Sequence, residues 1–260
     1  MALSITLPTA GDRPAIRARR FAQLLSGLML YGIAISLEVR AGIGLSPWDV
    51  LAQGVSKHTG IPFGFVTNIV GALVLLLWIP LRQRPGVGTV LNVLIVGPSA
   101  QLGLALIPQQ HHPVLQGLMF AAGLLLLAAA TGLYIGARLG PGPRDGLMTG
   151  LRQRFRLPIW AARTLVEGSV LLIGWLLGGQ VGLGTVAFVL LVGPLCHLAM
   201  PLLRVPGGEP EQAAAAAPAA RGVSLAAWMP ARGDRDGERA YADLRAIAQR
   251  GERSDSPQAD

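Results

Sequence analysis

The sequence predicts an all-α, polytopic membrane protein with six transmembrane helices arranged as two three-span inverted repeats. About half of the residues are hydrophobic and only 14% are charged, which is too little charge to cover a soluble domain of this size. Residues 24–106 recur at 120–202 with a constant offset of 96 positions, and about a third of the paired positions are identical. Internal repetition of this kind indicates a duplicated architecture, so both halves are expected to contain the same elements.

Six apolar stretches are long enough to cross a bilayer, which takes roughly 17–25 helical residues. They lie at 21–39, 64–81, 87–107, 117–137, 159–177 and 183–203. No small-residue cleavage site follows the first stretch, so it is expected to remain as an anchor. The predicted regions are a cytoplasmic leader at 1–20, a first repeat at 21–107, a second repeat at 117–204 and a low-complexity cytoplasmic tail at 205–260.

Basic residues predict the orientation. Twelve arginines lie in the leader, between spans two and three, between spans four and five, and at Arg204, whereas the alternate loops contain only Arg40 and Lys57. The positive-inside rule therefore predicts that both termini are cytoplasmic. Three spans per half is an odd number, so the two halves are expected to cross the membrane in opposite directions.

A proline-containing motif lies between the first two spans of each half. Residues 44–49 (GLSPWD) recur as residues 140–145 (GPGPRD). Ser46 is a good N-cap, proline fits the first helical position, and an aspartate at the third position can accept hydrogen bonds from free backbone N–H groups. The motifs thus predict short helices at about 47–57 and 143–155, too short and too polar to cross, which are interfacial or re-entrant.

Two interpretations apply to Asp49 and Asp145, with Arg144 beside the second aspartate. In the first, the carboxylates cap their short helices and have no other role. In the second, the inverted repeats bring both short helices to a shared cavity, where the motif side chains bind a substrate. The cap geometry already explains every residue type in the motif, and the two roles can coexist.

Arg163 and Glu167 form a second candidate site in the fifth span. The residues are four positions apart, so one helix face holds both. Charged residues inside a span usually point toward the protein interior and indicate a functional site, although a buried structural ion pair explains them equally well. Their counterparts in the first half are Thr67 and Gly71, so only the second half has this pair.

Gln101 and His197 form a third candidate pair. They occupy the same position of the two repeats, just after the Gly-Pro pairs of spans three and six. His197 could relay protons or bind a ligand. A hydrogen bond to a neighbouring helix is the simpler interpretation for both residues.

The motifs together resemble the YczE/YitT family of bacterial integral membrane proteins, and its YczE branch most closely. The resemblance depends on residues 44–51 (GLSPWDVL) and 140–148 (GPGPRDGLM), and on the Val-Gly-Pro tripeptide at 96–98 and 192–194. It covers about residues 20–204 and implies a bacterial plasma-membrane protein of an internally duplicated family whose activity is poorly defined. YitT-type members often end in a folded cytoplasmic domain, in whose place this chain has the low-complexity tail.

Motifs for catalysis are missing from the sequence. It has no phosphate-binding lysine loop, dinucleotide fingerprint, nucleophile elbow or HExxH motif, so we expect no enzyme, cofactor or metal site. The leading hypothesis is an ion-coupled carrier or channel for a small solute or metabolite. The alternative is a non-transporting membrane scaffold or regulator that supports a cytoplasmic pathway. Expected partners are the lipid bilayer and a small solute, with a homo-oligomer left open and nucleic acid excluded.

Overall fold

The protein is all-α, as the sequence predicts. The computed structural model describes residues 14–156 and 158–203, so the predicted tail, Arg204 and most of the predicted leader lie outside the described residues. The eight helices of the described part are α1 (Pro14–Ala41), α2 (Pro47–Thr59), α3 (Phe63–Trp78), α4 (Val87–Leu106), α5 (Pro113–Gly136), α6 (Pro143–Phe155), α7 (Ile159–Leu176) and α8 (Leu183–Leu202).

Long apolar helices make this a multi-pass membrane protein. Within the described residues, α1, α4, α5 and α8 are each long and apolar enough to cross a bilayer, and α2 with α3 forms a pair bent by 119° that adds a fifth candidate. The sequence predicts six spans, including one at 64–81 and one at 159–177. The helix found at the first of these, α3, has only 16 residues, fewer than a straight crossing needs. The helix at the second, α7, contains two opposite charges.

The two short helices begin where the sequence predicts. Ser46 caps α2, because its hydroxyl oxygen accepts the Asp49 N–H over 3.2 Å and its hydroxyl group donates to the Asp49 carboxylate. Pro47 is the first residue of α2, and Pro143 is the first residue of α6. Gly142 precedes α6 without a capping side chain, and its N–H instead bonds the Asp145 carboxylate. Local capping chemistry therefore sets both starts.

Helix α1 is the centre of the bundle and packs along α4 and α5. Small residues allow these close approaches. A Cβ atom on Gly32 would lie 2.6 Å from the Val96 carbonyl oxygen of α4, and one on Gly27 would lie 2.8 Å from the Tyr134 nitrogen of α5. Close backbone contact between small residues is the usual packing mode of helices in membranes.

The loops before α2 and α6 each contact a distant helix start. Leu45 N donates to Thr185 Oγ1 over 3.1 Å, so the loop before α2 lies against the start of α8. Thr89 Oγ1 donates to the Pro141 carbonyl oxygen over 2.7 Å, so the loop before α6 lies against the start of α4. These reciprocal contacts place α2 against α7 and α6 against α3.

A glycine makes each loop fit. Gly44 has φ of 134° and Gly140 has φ of 127°, a region that disfavours any residue with a Cβ atom. A Cβ on Gly44 would also lie 2.6 Å from the Thr185 nitrogen, and one on Gly140 would lie 2.8 Å from Thr89 Oγ1. Both glycines of the repeated motif are therefore required by backbone geometry and by close packing.

Candidate functional site

A cavity of about 280 Å³ lies where the N-terminal turns of α2 and α6 meet α3, α5, α7 and α8. Apolar side chains form much of its wall, among them Val96 and Phe188. The polar residues of the wall that bear on its chemistry are Asn68, Tyr134, Arg144, Asp145, Arg163 and Glu167. A largely apolar pocket with a few converging polar groups is the usual form of a small-molecule site.

Arg144 joins the two repeated motifs. Its Nη2 atom lies 3.6 Å from Oδ1 of Asp49, and the centre of its guanidinium group lies 5.2 Å from the centroid of the Trp48 ring. Trp48 and Arg144 occupy the same position of the two motifs, at an offset of 96 residues. The guanidinium group therefore gains both an ion pair and a cation–π contact from the other half of the chain.

Asp49 lies behind the cavity wall rather than on it. Its side chain is 1% exposed, and it is not among the residues that line the cavity. One carboxylate oxygen accepts the Ser46 hydroxyl, and the other has no hydrogen bond and faces Arg144. Asp49 thus caps α2 and also holds a guanidinium group that lines the cavity.

Asp145 lies on the cavity wall and bonds an aromatic side chain. Tyr134 Oη donates to its Oδ2 atom over 2.9 Å, and the Tyr134 ring packs edge-on against Tyr31 at a centroid distance of 5.9 Å. On α6, outside the candidate spans, burial raises the pKa of the Asp145 carboxyl, whereas the Tyr134 hydrogen bond and the charge of Arg144 act in the opposite direction. The carboxyl is thus fixed in position beside the cavity.

Arg163 and Glu167 form an ion pair at the cavity. Nε of Arg163 donates to Oε1 of Glu167 over 3.0 Å, one turn apart on α7. The arginine side chain is 46% exposed and the glutamate side chain 17% exposed, so the pair is not deeply buried within the protein. Both residues line the cavity, opposite the motif side chains of α6.

Gln101 and His197 lie away from the other candidates. Gln101 Oε1 accepts the Gly64 N–H over 3.1 Å, which ties α4 to α3. His197 is an exposed residue of α8. Neither residue lines the cavity. The geometry of Gln101 is that of an interhelical hydrogen bond.

Sequence reasoning missed three residues of this region. Trp48 and Tyr134 contact the charged motif residues, but an aromatic side chain in an apolar run gives no sign of such a contact. Glu38 is different, because a lone carboxylate in the first span is itself a signal for a functional residue.

Two equivalent helix pairs pack differently at the cavity. Helices α3 and α4 pack along each other, whereas α7 and α8 do not. A Cβ atom on Gly97 of α4 would collide with Asn68 and Gly64 of α3, whereas one on Gly193 of α8 would meet nothing within 4 Å. Gly97 and Gly193 are each the eleventh residue of their helix. The cavity is therefore closed at α3 and α4 and less tightly closed at α7 and α8.

Comparison with known proteins gives relatives of unassigned function. The chain is 39% identical over 170 residues to an uncharacterized protein of Haemophilus influenzae, an alignment that covers 65% of this chain and 78% of the relative. It is 28% identical over 175 residues to the uncharacterized membrane protein YczE of Bacillus subtilis, covering 67% and 81%. It is 29% identical over 181 residues to the uncharacterized protein YyaS of Bacillus subtilis, covering 68% and 90%.

The relatives confirm the resemblance to YczE that the repeated motifs indicate. No solved structure is significantly similar to the chain. The model of a family of unknown function, DUF6198, matches residues 18–201, which include all eight helix cores, the cavity and both motifs. This integral membrane protein therefore belongs to the DUF6198 family.

Proposed function

We propose that this protein moves a small polar solute or metabolite across the bacterial plasma membrane as an ion-coupled carrier or channel. The observation that supports this most is the cavity of about 280 Å³, which has two arginines and two carboxylates on its wall in a chain of membrane-spanning helices. Charges at membrane depth are costly and are retained mainly where they contact one another or a substrate. No enzymatic activity, cofactor or metal is part of the proposal.

The architecture in this proposal is a pair of inverted repeats with six spans. Helices α2 and α6 cover positions that differ by 96 at both ends, and so do α4 and α8. The reciprocal loop contacts of Leu45 with Thr185 and of Thr89 with Pro141 relate residues at the same offset. Such internal symmetry supports α3 and α7 as the remaining two spans. In this arrangement α2 is a re-entrant helix between α1 and α3, and α6 is a re-entrant helix between α5 and α7.

Unequal packing of the two halves favours a carrier. In transporters built from inverted repeats, access alternates when one repeat moves against the other around a fixed site. Helices α3 and α4 pack closely, whereas the equivalent helices α7 and α8 do not. Such a difference is expected if one repeat is closed around the cavity while the other is open. Within this proposal Arg144, Asp145, Arg163 and Glu167 bind the solute, and Asp49 positions Arg144.

Orientation and assembly complete the proposal. The excess of arginine in alternate loops supports cytoplasmic termini, which puts the loop before α2 outside and the loop before α6 inside. The bilayer is the surrounding partner, and a homo-oligomer is compatible with the many exposed apolar side chains of the outer surface. Gln101 and His197 are not assigned to solute binding, because neither lines the cavity.

The direct test is flux through the purified full-length protein in liposomes. The probes are panels of amino acids, small carboxylates and small amines, with charge movement recorded on a supported membrane under a proton gradient and under a sodium gradient. We expect at least one class to give protein-dependent flux that is lost in Asp145→Asn, which should still fold, and retained in the surface control Arg154→Gln. A scaffold, which is the alternative function, would give no flux with any probe.

A further inference from the structure

Glu38 is a fully buried carboxyl group without a hydrogen-bond partner. It lies in the last turn of α1, its exposed fraction is 0%, and neither side-chain oxygen has a hydrogen-bond partner. An ionised carboxylate in such a place loses its hydration without compensation. The protein must therefore supply a positive charge or a proton.

The two helices packed along α1 supply no charge to Glu38, and Arg40, two residues further along α1, instead donates to the Leu104 carbonyl oxygen of α4. Helix α1 packs mainly against α4 and α5, and the described sequences of α4 and α5 contain no Asp, Glu, Lys or Arg. Gly123 of α5 lies directly opposite, because a Cβ atom there would be 3.0 Å from Cγ of Glu38. The titratable groups that act on Glu38 electrostatically are Asp49 and Arg144, both of which lie in the motif helices.

The charge of Arg144 is already shared between Asp49 and Asp145, so it does not neutralise Glu38 in addition. Its guanidinium group faces Asp49 at 3.6 Å, and Asp145 is the next residue in the chain. Arg163 is engaged by Glu167 at 3.0 Å. Four carboxyl groups thus share two guanidinium groups in this region, and Glu38 is the one with neither a hydrogen bond nor an ion pair within contact distance. The described residues contain no group of three or more His, Cys, Asp or Glu that could hold a metal ion, and a proton is the neutralising cation that needs no further ligands.

The second half of the chain offers a comparison. The residue 96 positions after Glu38 is Tyr134, and the residue 96 positions after Asp49 is Asp145. Tyr134 is a neutral O–H group that donates to Asp145. Glu38 would likewise be a neutral O–H group when protonated, and Asp49, whose Oδ1 atom has no hydrogen-bond partner, is one of the charged groups that act on it.

We propose that Glu38 is a proton-binding site, protonated at neutral pH, whose proton exchanges with water during the working cycle and couples proton movement to the solute. The coupling rests on the proposed transport function, whereas the occupancy and exchange of the proton do not. Binding and release at one carboxyl balance as COOH giving COO⁻ and one proton, so no further reactant is needed.

Infrared spectroscopy tests the site without knowledge of the solute. A protonated carboxyl group has a C=O stretching band well separated from that of a carboxylate. Full-length protein labelled with ¹³C-glutamate and reconstituted in lipid at pH 7 should have one such band, shifted by the label. The band should be lost completely in Glu38→Gln, which matches the protonated form in shape, and kept in the matched control Glu167→Gln. Transfer to D₂O should shift the band as the proton exchanges.

Each outcome is decisive. Absence of a label-shifted band in the wild-type protein overturns the proposal, and this reading does not require any variant to fold. A band that persists in folded Glu38→Gln assigns the proton elsewhere and also overturns it. A band that never exchanges in D₂O contradicts the working cycle and leaves a static structural group. A band that behaves as expected in a protein without flux would reject the proposed transport while keeping the proton site.

Discussion

The guanidinium group of Arg144 lies 3.6 Å from the carboxylate of Asp49, although the first belongs to α6 and the second to α2. This contact joins the N-terminal turns of the two short helices, and Trp48 stacks on the same guanidinium group. The pair is therefore the direct link between the two motifs. Its strength determines how firmly the motifs hold the cavity wall.

Removal of Arg144 alone should destabilise the protein strongly. Arg144→Gln leaves Asp49, which is 1% exposed, without its counter-charge, and breaking a buried pair costs about 3–5 kcal/mol. Adding Asp49→Asn should recover much of this loss, because no unpaired charge then remains. Thermal unfolding of the wild type, the single variant and the double variant in detergent measures both effects. Equal stability of Arg144→Gln and the wild type would mean that the pair contributes little.

Asp145→Asn separates capping from solute binding. Asparagine keeps an oxygen that can accept from the Tyr134 hydroxyl and from the Gly142 N–H, so the stability loss should be at most about 1–2 kcal/mol. If the carboxylate binds solute, membrane levels stay normal while flux is lost. The surface variant Arg154→Gln is the control, because Arg154 is exposed and does not line the cavity. Normal flux in Asp145→Asn would restrict Asp145 to the capping role.

The start of the short helices could be predicted from sequence, whereas their contacts could not. Pro47 and Pro143 begin α2 and α6 because capping depends on neighbouring residues, and the sequence states these directly. The Arg144–Asp49 contact depends on how two loops cross the bundle, which the sequence does not specify. The sequence overstated the number of clear spans. The described residues contain four long apolar helices and one bent pair, since α3 is only 16 residues long and joins α2 at a sharp bend.

Site residues divide in the same way. The sequence predicted that Arg163 and Glu167 meet, because residues four positions apart share a helix face. It favoured a hydrogen bond from Gln101 to a neighbouring helix, and that bond joins α3. It did not indicate that Tyr134 binds Asp145, because this contact depends on tertiary packing. Glu38 carried a signal as a lone carboxylate in a span, and only its unpartnered oxygens separate it from a structural residue.

The pair on α7 should contribute little to stability. Since Arg163 is 46% exposed and both residues line the cavity, loss of either partner should cost less than the about 3–5 kcal/mol expected for a dry, buried pair. Replacement of both residues by leucine should give a stable protein. Flux then decides their role, because a stable and inactive double variant assigns solute binding to the pair. A stable variant with full flux would remove both residues from the site.

Cysteine labelling tests the opposite orientation of the two halves. His58 in α2 and Arg154 in α6 are both exposed, so each tolerates a cysteine once Cys196 is replaced by alanine. We expect an impermeant maleimide added outside cells to label His58→Cys and not Arg154→Cys. Labelling of both from the same side would contradict the inverted repeats.

The proposed exchange of packing between the two halves can be tested with cysteine pairs at equivalent positions. A Cβ atom on Gly71 of α3 would lie 3.8 Å from Cβ of Val93 in α4, a separation that suits a disulfide. Gly71→Cys with Val93→Cys, in a Cys196→Ala background, should therefore oxidise readily. The positions 96 residues later are Glu167 and Val189, on helices that do not pack along each other.

The pair Glu167→Cys with Val189→Cys should oxidise slowly. Its disulfide can form only when α7 packs against α8 in the way that α3 packs against α4 in this structure. If the two halves exchange their packing, conditions that favour the second state should speed the 167–189 disulfide and slow the 71–93 disulfide. Oxidation is followed by gel mobility, with each single cysteine as control. Because this pair replaces Glu167, flux is measured in the wild-type protein. A 167–189 pair that never forms, although the wild type has measurable flux, would mean that solute passes without this exchange, as in a channel.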